Sequence, residues 1–323
     1  MKKDSKIYIA GGTGLVGRAI MDALVKRGYH NIVTPRYDLR YNDETHELFV
    51  KYKPEYVFLA AAKVGGIHAN NTESARFIVD NILIQTNIIT ECYGAGVKKL
   101  LFLGSSCIYP KLSPQPIKEE YLMTGPLEPT NSPYAVAKIA GIEMCRAYNK
   151  QFGTNYICAM PTNLFSECDN FDPETSHVIP GMIHKFCEAN YYDKEEVILW
   201  GDGSPKREFL YAEDIGDACV FLMENYDVED PYDNLINVGA GYDISIKELA
   251  EYLKEISGYK GKLVWDGTKP NGTPRKLLDC SKINNLGWKS KCDLYEKIKN
   301  VYDSYKFRYK TIEESKKEDI ADK

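Results

Sequence analysis

A phenol and an ammonium stand one helical turn apart in the stretch "NSPYAVAKIAG", as Tyr134 and Lys138. Side chains four residues apart share one face of a helix. Pro133 suits the first turn of such a helix, with Ser132 as its expected cap. On an open surface the pair would be a tyrosine beside a solvated lysine. With a cation close to it, the same phenol becomes a proton donor or acceptor near neutral pH. Upstream, an apolar run ends in "GSSCIYP", which puts Ser105 and Ser106 at the carboxyl end of an expected strand. Ligands of open α/β sheets bind beyond such ends. Three roles follow. The serine polarises a carbonyl oxygen, the tyrosine supplies a proton, and the lysine lowers the tyrosine pKa and holds a ribose. Together they form an apparatus for hydride transfer between a nicotinamide and a ketone or alcohol.

A dinucleotide site is legible at the start of the chain. "IAGGTGLVG" spaces Gly11, Gly14 and Gly17 as G-x-x-G-x-x-G, between an apolar run and a helical pattern. Glycines there permit a tight turn and close approach of a pyrophosphate to a helix N-terminus. The end of the next strand reads "VTPRYDLR". Arg36, with Arg40 behind it, favours the extra phosphate of NADP, whereas Asp38 is the residue type that binds the ribose hydroxyls of NAD. The expected cofactor is NADPH/NADP.

These groups need a scaffold. "KIYIAG", "NIVTP", "EYVFLAAA", "KLLFLGSS" and "NYICAMPTNLF" read as strands, separated by helical stretches. The alternation predicts an α/β fold, a Rossmann-like doubly wound parallel sheet. Beyond about residue 165 loops lengthen, and a smaller C-terminal α+β substrate lobe is expected. "SIKELAEYLKEISGYKG" reads as its best amphipathic helix, with Ser245 and Glu248 as a capping box. The expected division is a cofactor domain over 1–165 with a return segment near 208–240, a substrate lobe over 166–207 and 241–309, and a flexible tail over 310–323. Helical stretches 75–92 and 135–148 are apolar almost all round, which means burial within the chain or a homodimer built on them.

Bulk properties narrow the class. The chain has 323 residues and a formal net charge of −5. Its pI of about 5.7 gives no sign of a nucleic-acid partner. No apolar run approaches the roughly 20 residues that span a bilayer. The opening "MKKDSKIYIAGG" has no apolar leader core, so no secretory signal is expected. Nine scattered cysteines without C-x-x-C read as reduced thiols of a cytoplasmic protein. No metal site is expected.

The glycine spacing and Y-x-x-x-K resemble the extended short-chain dehydrogenase/reductases. "AAAKVGGIHANN", "LLFLGSSCIYPK", "EPTNSPYAVAKIAGI", "MPTNLF", "SHVIP", "REFLYAED" and "GTPRKLLD" are similar to the GDP-L-fucose synthase family over about residues 6–300. The resemblance implies that Ser105, Tyr134 and Lys138 form the reductase triad. It also implies a GDP-4-keto-6-deoxy sugar as substrate. That sugar is inverted at C3 and C5 by a cysteine and a histidine, matched here by Cys107 and His177, then reduced at C4. Asn163 and Arg207 match substrate-pocket positions. Lys185 stands where the family often has arginine, and Lys276, with Arg275, is placed to meet the GDP or to form a surface basic pair. Lys63 in "AKVGG" lies over the site or in solvent.

Two departures matter. Thr13 replaces a loop arginine, and "FSECDN" (165–170) replaces "YGPxDN", altering shape and charge near the expected substrate. This keeps a C4-reductase of a GDP-6-deoxy-4-keto-heptose, without epimerisation, as a rival. An NADP-binding redox sensor and an enzyme that retains and regenerates NAD are the other readings.

Overall fold

The first half of the chain alternates strand and helix. It runs β1 (Ile7–Ala10), α1 (Leu15–Lys26), β2 (Ile32–Val33), α2 (Asn42–Tyr52), β3 (Tyr56–Leu59), α3 (Ile67–Thr72), α4 (Ser74–Gly94), β4 (Lys99–Leu103), α5 (Ser132–Phe152) and β5 (Tyr156–Pro161). The second half adds β6 (Asn163–Phe165), α6 (Val178–Tyr191), β7 (Glu196–Trp200), β8 (Lys206–Arg207), β9 (Phe209–Tyr211), α7 (Ala212–Asn225) and β10 (Leu235–Val238). It closes with β11 (Ile244–Ser245), α8 (Ile246–Ser257), β12 (Lys262–Asp266), β13 (Arg275–Lys276), α9 (Ser281–Asn285) and α10 (Leu294–Ala321). This computed structural model describes residues 1–321 apart from 174 and 270.

Six strands form one sheet in the order β10-β5-β4-β3-β1-β2, every neighbour parallel. A parallel sheet must be covered on both faces. Along β4, Lys99 and Phe102 point to opposite faces, because side chains alternate along a strand. Lys99 Nζ donates to the carbonyls of Leu222 (3.3 Å) and Met223 (3.1 Å), near the C-terminal end of α7, where a cation is favoured. Phe102 lies under α5, where the bare Gly141 leaves room for its ring. So α7 and α1 cover one face, and α5 with α4 the other. Arg27, the C-cap residue of α1, bonds Asp217 and Glu224 of α7 and ties that layer together.

The strand order reverses at β1, whose neighbours are β2 and β3. Chain leaves this point in both directions, which opens a crevice at the carboxyl ends. The sheet is completed from far along the chain, since β10 pairs with β5. A second core, around Phe165, Ile183, Phe186, Leu253, Ile298 and Tyr302, lies among α6, α8 and α10. The capping box of α8 forms as expected: Ser245 Oγ accepts from Glu248 N at 3.0 Å, and Glu248 accepts from Ser245 N at 2.7 Å.

Three local expectations change. The run "NYICAMPTNLF" is broken at Thr162, because β6 leaves the main sheet to pair with β9. Ser132 lies inside α5, and Asn131 holds its N-cap position. Residues 310–321, expected as a flexible tail, continue α10 as helix, while 322–323 lie outside the described residues. Composition misled here. The segment is charged overall, yet Tyr309 and Glu313 are buried, and Glu313 accepts a hydrogen bond from the Tyr192 hydroxyl of the second lobe.

Candidate active site

The glycine loop joins β1 to α1 at the sheet's crevice. Gly11 has φ +83°, and a Cβ on Gly17 would stand 2.1 Å from the Gly11 carbonyl oxygen. These two are required by the turn itself. Gly14 is different: a Cβ there would meet only Gly11 O, at 3.4 Å, an ordinary contact. It is also the N-cap residue of α1, with no side chain to bond the helix's first N–H groups. Those donors are left facing the crevice, open to an anion. Thr13 contributes no cation, but Arg18 lies back across the loop and donates from Nε to Thr13 O at 2.9 Å. The sequence reading missed Arg18, whose one signal was its place in the first turn of α1.

At the end of β2 the competing signals separate. Arg40 chelates Asp38 through Nε (2.9 Å) and Nη2 (2.6 Å) and holds its carboxyl below the usual range. Arg36 is exposed, and no side-chain partner is recorded for it among the described residues. An acid already engaged beside a free guanidinium suits a phosphate ester better than a pair of hydroxyls.

The carboxyl end of β4 gathers the hydroxyl, phenol and ammonium. Ser105 begins a short 3-10 turn (106–108), its Oγ accepting from Cys107 N at 3.3 Å. Tyr134 is buried, packed edge-on to Phe77 at 6.2 Å, with Ser105 beside it. Lys138 is buried with Nζ donating to Leu103 O at 2.7 Å, 4.8 Å from the Phe102 ring centre. Sequence predicted that the lysine would draw the phenol's pKa down. Burial dominates both groups instead, pushing Tyr134 up and Lys138 down to about 7. The loop 62–66 is pinned above by Asn81 of α4, which bonds Lys63 N and O, each at 3.0 Å. Lys63 itself pairs with Glu73 at 3.0 Å. Gly66 N donates to Thr175 O at 3.1 Å, so this loop also braces the segment leading into His177.

Cys107 faces a cleft lined by Lys111, Glu128, Asn131, Arg275 and Lys276. Lys276 Nζ lies 3.7 Å and Asn131 Nδ2 3.4 Å from its Sγ. The basic pair of "TPRKLLD" therefore divides, with Lys276 turned to the thiol and Arg275 bound to Asp243 (Nε 2.5 Å). β8 pairs with β13 so that Arg207 stands beside Lys276. Burial lowers the Arg207 pKa, opposed by the nearby Cys107 and Glu128. His177, the N-cap residue of α6, keeps solvent access, yet burial around it and the charge of Lys276 depress its pKa.

Two further predicted substrate residues donate to backbone carbonyls. Asn163 donates to Glu208 O at 2.8 Å. Lys185, its pKa lowered by burial, donates to Ile198 O at 2.8 Å and stands 5.7 Å from the exposed Trp200 ring. In the altered "FSECDN" loop Ser166 is buried and Glu167 is engaged by the Tyr211 hydroxyl at 2.7 and 2.8 Å. Arg308 of α10 holds Glu167 O at 2.6 Å, and Cys168 turns to Arg18, 3.6 Å away. The new acid of this loop is thus held by hydrogen bonds within the protein.

The model of the NAD dependent epimerase/dehydratase family matches residues 7–239. GDP-L-fucose synthase 1 of Arabidopsis thaliana is 53% identical over 306 residues, covering 94% of this chain and 94% of that protein. GDP-L-fucose synthase of Escherichia coli K12 is 47% identical over 305 residues, covering 92% and 95%. A solved GDP-mannoheptose C4 reductase from Campylobacter jejuni, with NADP bound, has a TM-score of 0.86 at 39% identity and covers 95% of this chain and 99% of that one.

Proposed function

The chain belongs to the NAD dependent epimerase/dehydratase family, among the GDP-L-fucose synthases, and from that premise we propose that it is an NADPH-dependent oxidoreductase that epimerises a GDP-4-keto-6-deoxy hexose at C3 and C5 and reduces it at C4. The observation that carries this reading is the joining of two kinds of apparatus at the carboxyl end of β4. Ser105, Tyr134 and Lys138 provide a carbonyl-reducing set, and Cys107, two residues on, opens into the basic cleft.

NADPH, when bound, supplies the hydride. Gly11, Gly14 and Gly17 would hold its pyrophosphate at the start of α1, and Arg36 would meet the ribose phosphate. Ser105 donates to the C4 carbonyl oxygen, and Tyr134 delivers a proton to that oxygen as charge develops. Lys138 would hold the ribose hydroxyls. Before reduction, Cys107 and His177 act on the carbons flanking the carbonyl. One takes a proton while the electron pair passes to the carbonyl oxygen, where Ser105 and Tyr134 stabilise the enolate. Lys185, Arg207 and Lys276 supply positive charge for the diphosphate, and Asn163 lines the sugar pocket.

A heptose substrate is the second reading, raised by the altered 165–170 loop and by the heptose reductase neighbour. Two things favour the hexose. The loop's acid is engaged by Tyr211 rather than added to the pocket, and the fucose synthases are the more similar relatives. The test mixes protein, NADPH and either GDP-4-keto-6-deoxy sugar in heavy water. Rapid NADPH oxidation with two ring deuterons gained by the hexose is expected. Turnover of the heptose alone, or reduction of the hexose without ring deuterium, would overturn the reading.

The working form we infer is a homodimer. α4 and α5 pack on each other through Gln85 Nε2 and Ala137 O (2.6 Å) yet leave Val79, Leu83 and Val136 exposed. Nine free thiols support a reducing, cytoplasmic setting. No described helix is long and apolar enough to cross a membrane.

A further inference from the structure

The cleft in front of Cys107 is basic, and one acid interrupts it. Among the described residues that line it, Glu128 is the one carboxylate, with Lys111, Arg275 and Lys276 on the same rim. Local structure puts the acid there. Glu128 precedes a short 3-10 turn (129–131) that leads into α5. Lys111 N donates to Pro126 O at 2.9 Å, which ties the segment before Glu128 to the one after Tyr109.

This carboxylate is sunk but poorly served. Its side chain is 16% exposed, and Oε2 is buried without a hydrogen-bond partner. Lys111 Nζ stands 2.8 Å from Oε2, near enough to hold the charge but outside hydrogen-bond alignment. Oε1 receives the Thr130 hydroxyl at a long 3.4 Å. Glu128 also holds the N-cap position of its turn and does not cap it. An ionised carboxylate offers about four acceptor sites, and buried ones are normally filled. Most of the acceptors of Glu128 are therefore not used by the fold.

The nucleotide end of a substrate does not suit this acid. Arg207 and Lys276 are placed for a diphosphate, and Arg207 feels the charge of Glu128, which opposes the lowering of its pKa by burial. A negative charge so near those cations weakens their hold on an anion. What Glu128 can bind is an uncharged donor. In the sugar, C3 and C2 lie between the carbonyl carbon at Ser105 and Tyr134 and the diphosphate, and each carries a hydroxyl. The two oxygens of one carboxylate match two neighbouring hydroxyls, and such charge-assisted hydrogen bonds are strong.

We propose that Glu128 is a specificity-determining residue that accepts hydrogen bonds from the C2 and C3 hydroxyls of the sugar, with Lys111 holding its carboxylate in place. The inference rests on the GDP-sugar reading above and adds the group that recognises the hydroxyls. Glu128 favours the sugar and disfavours the bare nucleotide, so its removal affects the two in opposite senses.

The test is calorimetric titration of the whole protein with GDP-mannose, which carries both hydroxyls, and with GDP, which carries neither. In Glu128→Gln the ratio of the GDP-mannose to the GDP dissociation constant should rise about tenfold, as for the loss of a hydrogen bond to a charged group. GDP itself should bind no more weakly than to the wild type. NADPH binding by the variant checks that it is folded. Should it fail to fold, the wild type carries the test with GDP-2-deoxy-2-fluoromannose. Its fluorine cannot donate, and it should bind about fivefold more weakly than GDP-mannose. An unchanged ratio, equal weakening of both ligands, or a fluoro analogue that binds as well as GDP-mannose would overturn the proposal and leave the GDP-sugar reading standing. A wild type that binds neither GDP nor GDP-mannose would remove that reading, and this inference with it.

Discussion

Lys138 shows how far one residue's environment can move it from its sequence. The chain places an ordinary lysine four residues after a tyrosine, and the fold buries it with a single backbone carbonyl as hydrogen-bond acceptor. Burial disfavours the ammonium and lowers the pKa from 10.5 to about 7. The sign of the consequence is fixed by proton counting. Between those values the unfolded chain holds a proton that the folded protein has released. This residue therefore makes the unfolding free energy rise with pH across that window, by at most about 1.4 kcal/mol per pH unit. Above it the penalty is gone, and below pH 7 it is complete. Urea unfolding of Lys138→Met at pH 7.5 and 9.5 should show a flatter dependence than wild type, and an equal slope would assign the titration elsewhere. The spacing of Tyr134 and Lys138 was legible because it is local. Which of the two would dominate the other's ionisation was not, because burial is set by Phe77, Phe102 and Leu103.

Among the elements, the β1–α1 junction separates what the backbone needs from what a ligand needs. Gly17 must be bare because its Cβ would collide with the Gly11 carbonyl, whereas Gly14 meets no such obstacle. Gly17→Ala is expected to cost about 3 kcal/mol of stability in chemical denaturation. Gly14→Ala should stay within about 1 kcal/mol of wild type in the same experiment. It should nevertheless weaken NADPH binding about tenfold or more by fluorescence titration, since its methyl would stand where the pyrophosphate approaches. Equal loss of stability in both variants would mean that Gly14, too, serves the fold. The G-x-x-G-x-x-G spacing announced this junction, but only the three-dimensional clearances divide its labour.

For the whole molecule, the paired face of α4 and α5 is the surface on which the inferred homodimer would form. Leu83 and Val136 are 40% and 42% exposed on helices whose sequence is apolar nearly all round. If a second copy covers them, Leu83→Glu with Val136→Glu should halve the mass measured by light scattering while leaving NADPH binding intact. An unchanged mass would place the interface elsewhere or leave the protein a monomer.

By itself the sequence determined the alternating strands and helices, the glycine loop, the tyrosine–lysine pair and the capping box of α8. Each of these follows from the period of a helix, the alternation of a strand or the freedom of a glycine, and each needs only neighbours in the chain. Tertiary structure alone decided four things. β10 completes the sheet beside β5, and α10 keeps residues 310–321 helical. Tyr211 takes up the acid of the altered loop, 44 positions away. It also brought Lys276 to Cys107 across 169 positions of chain. Such meetings depend on how two lobes pack, and no local period encodes that.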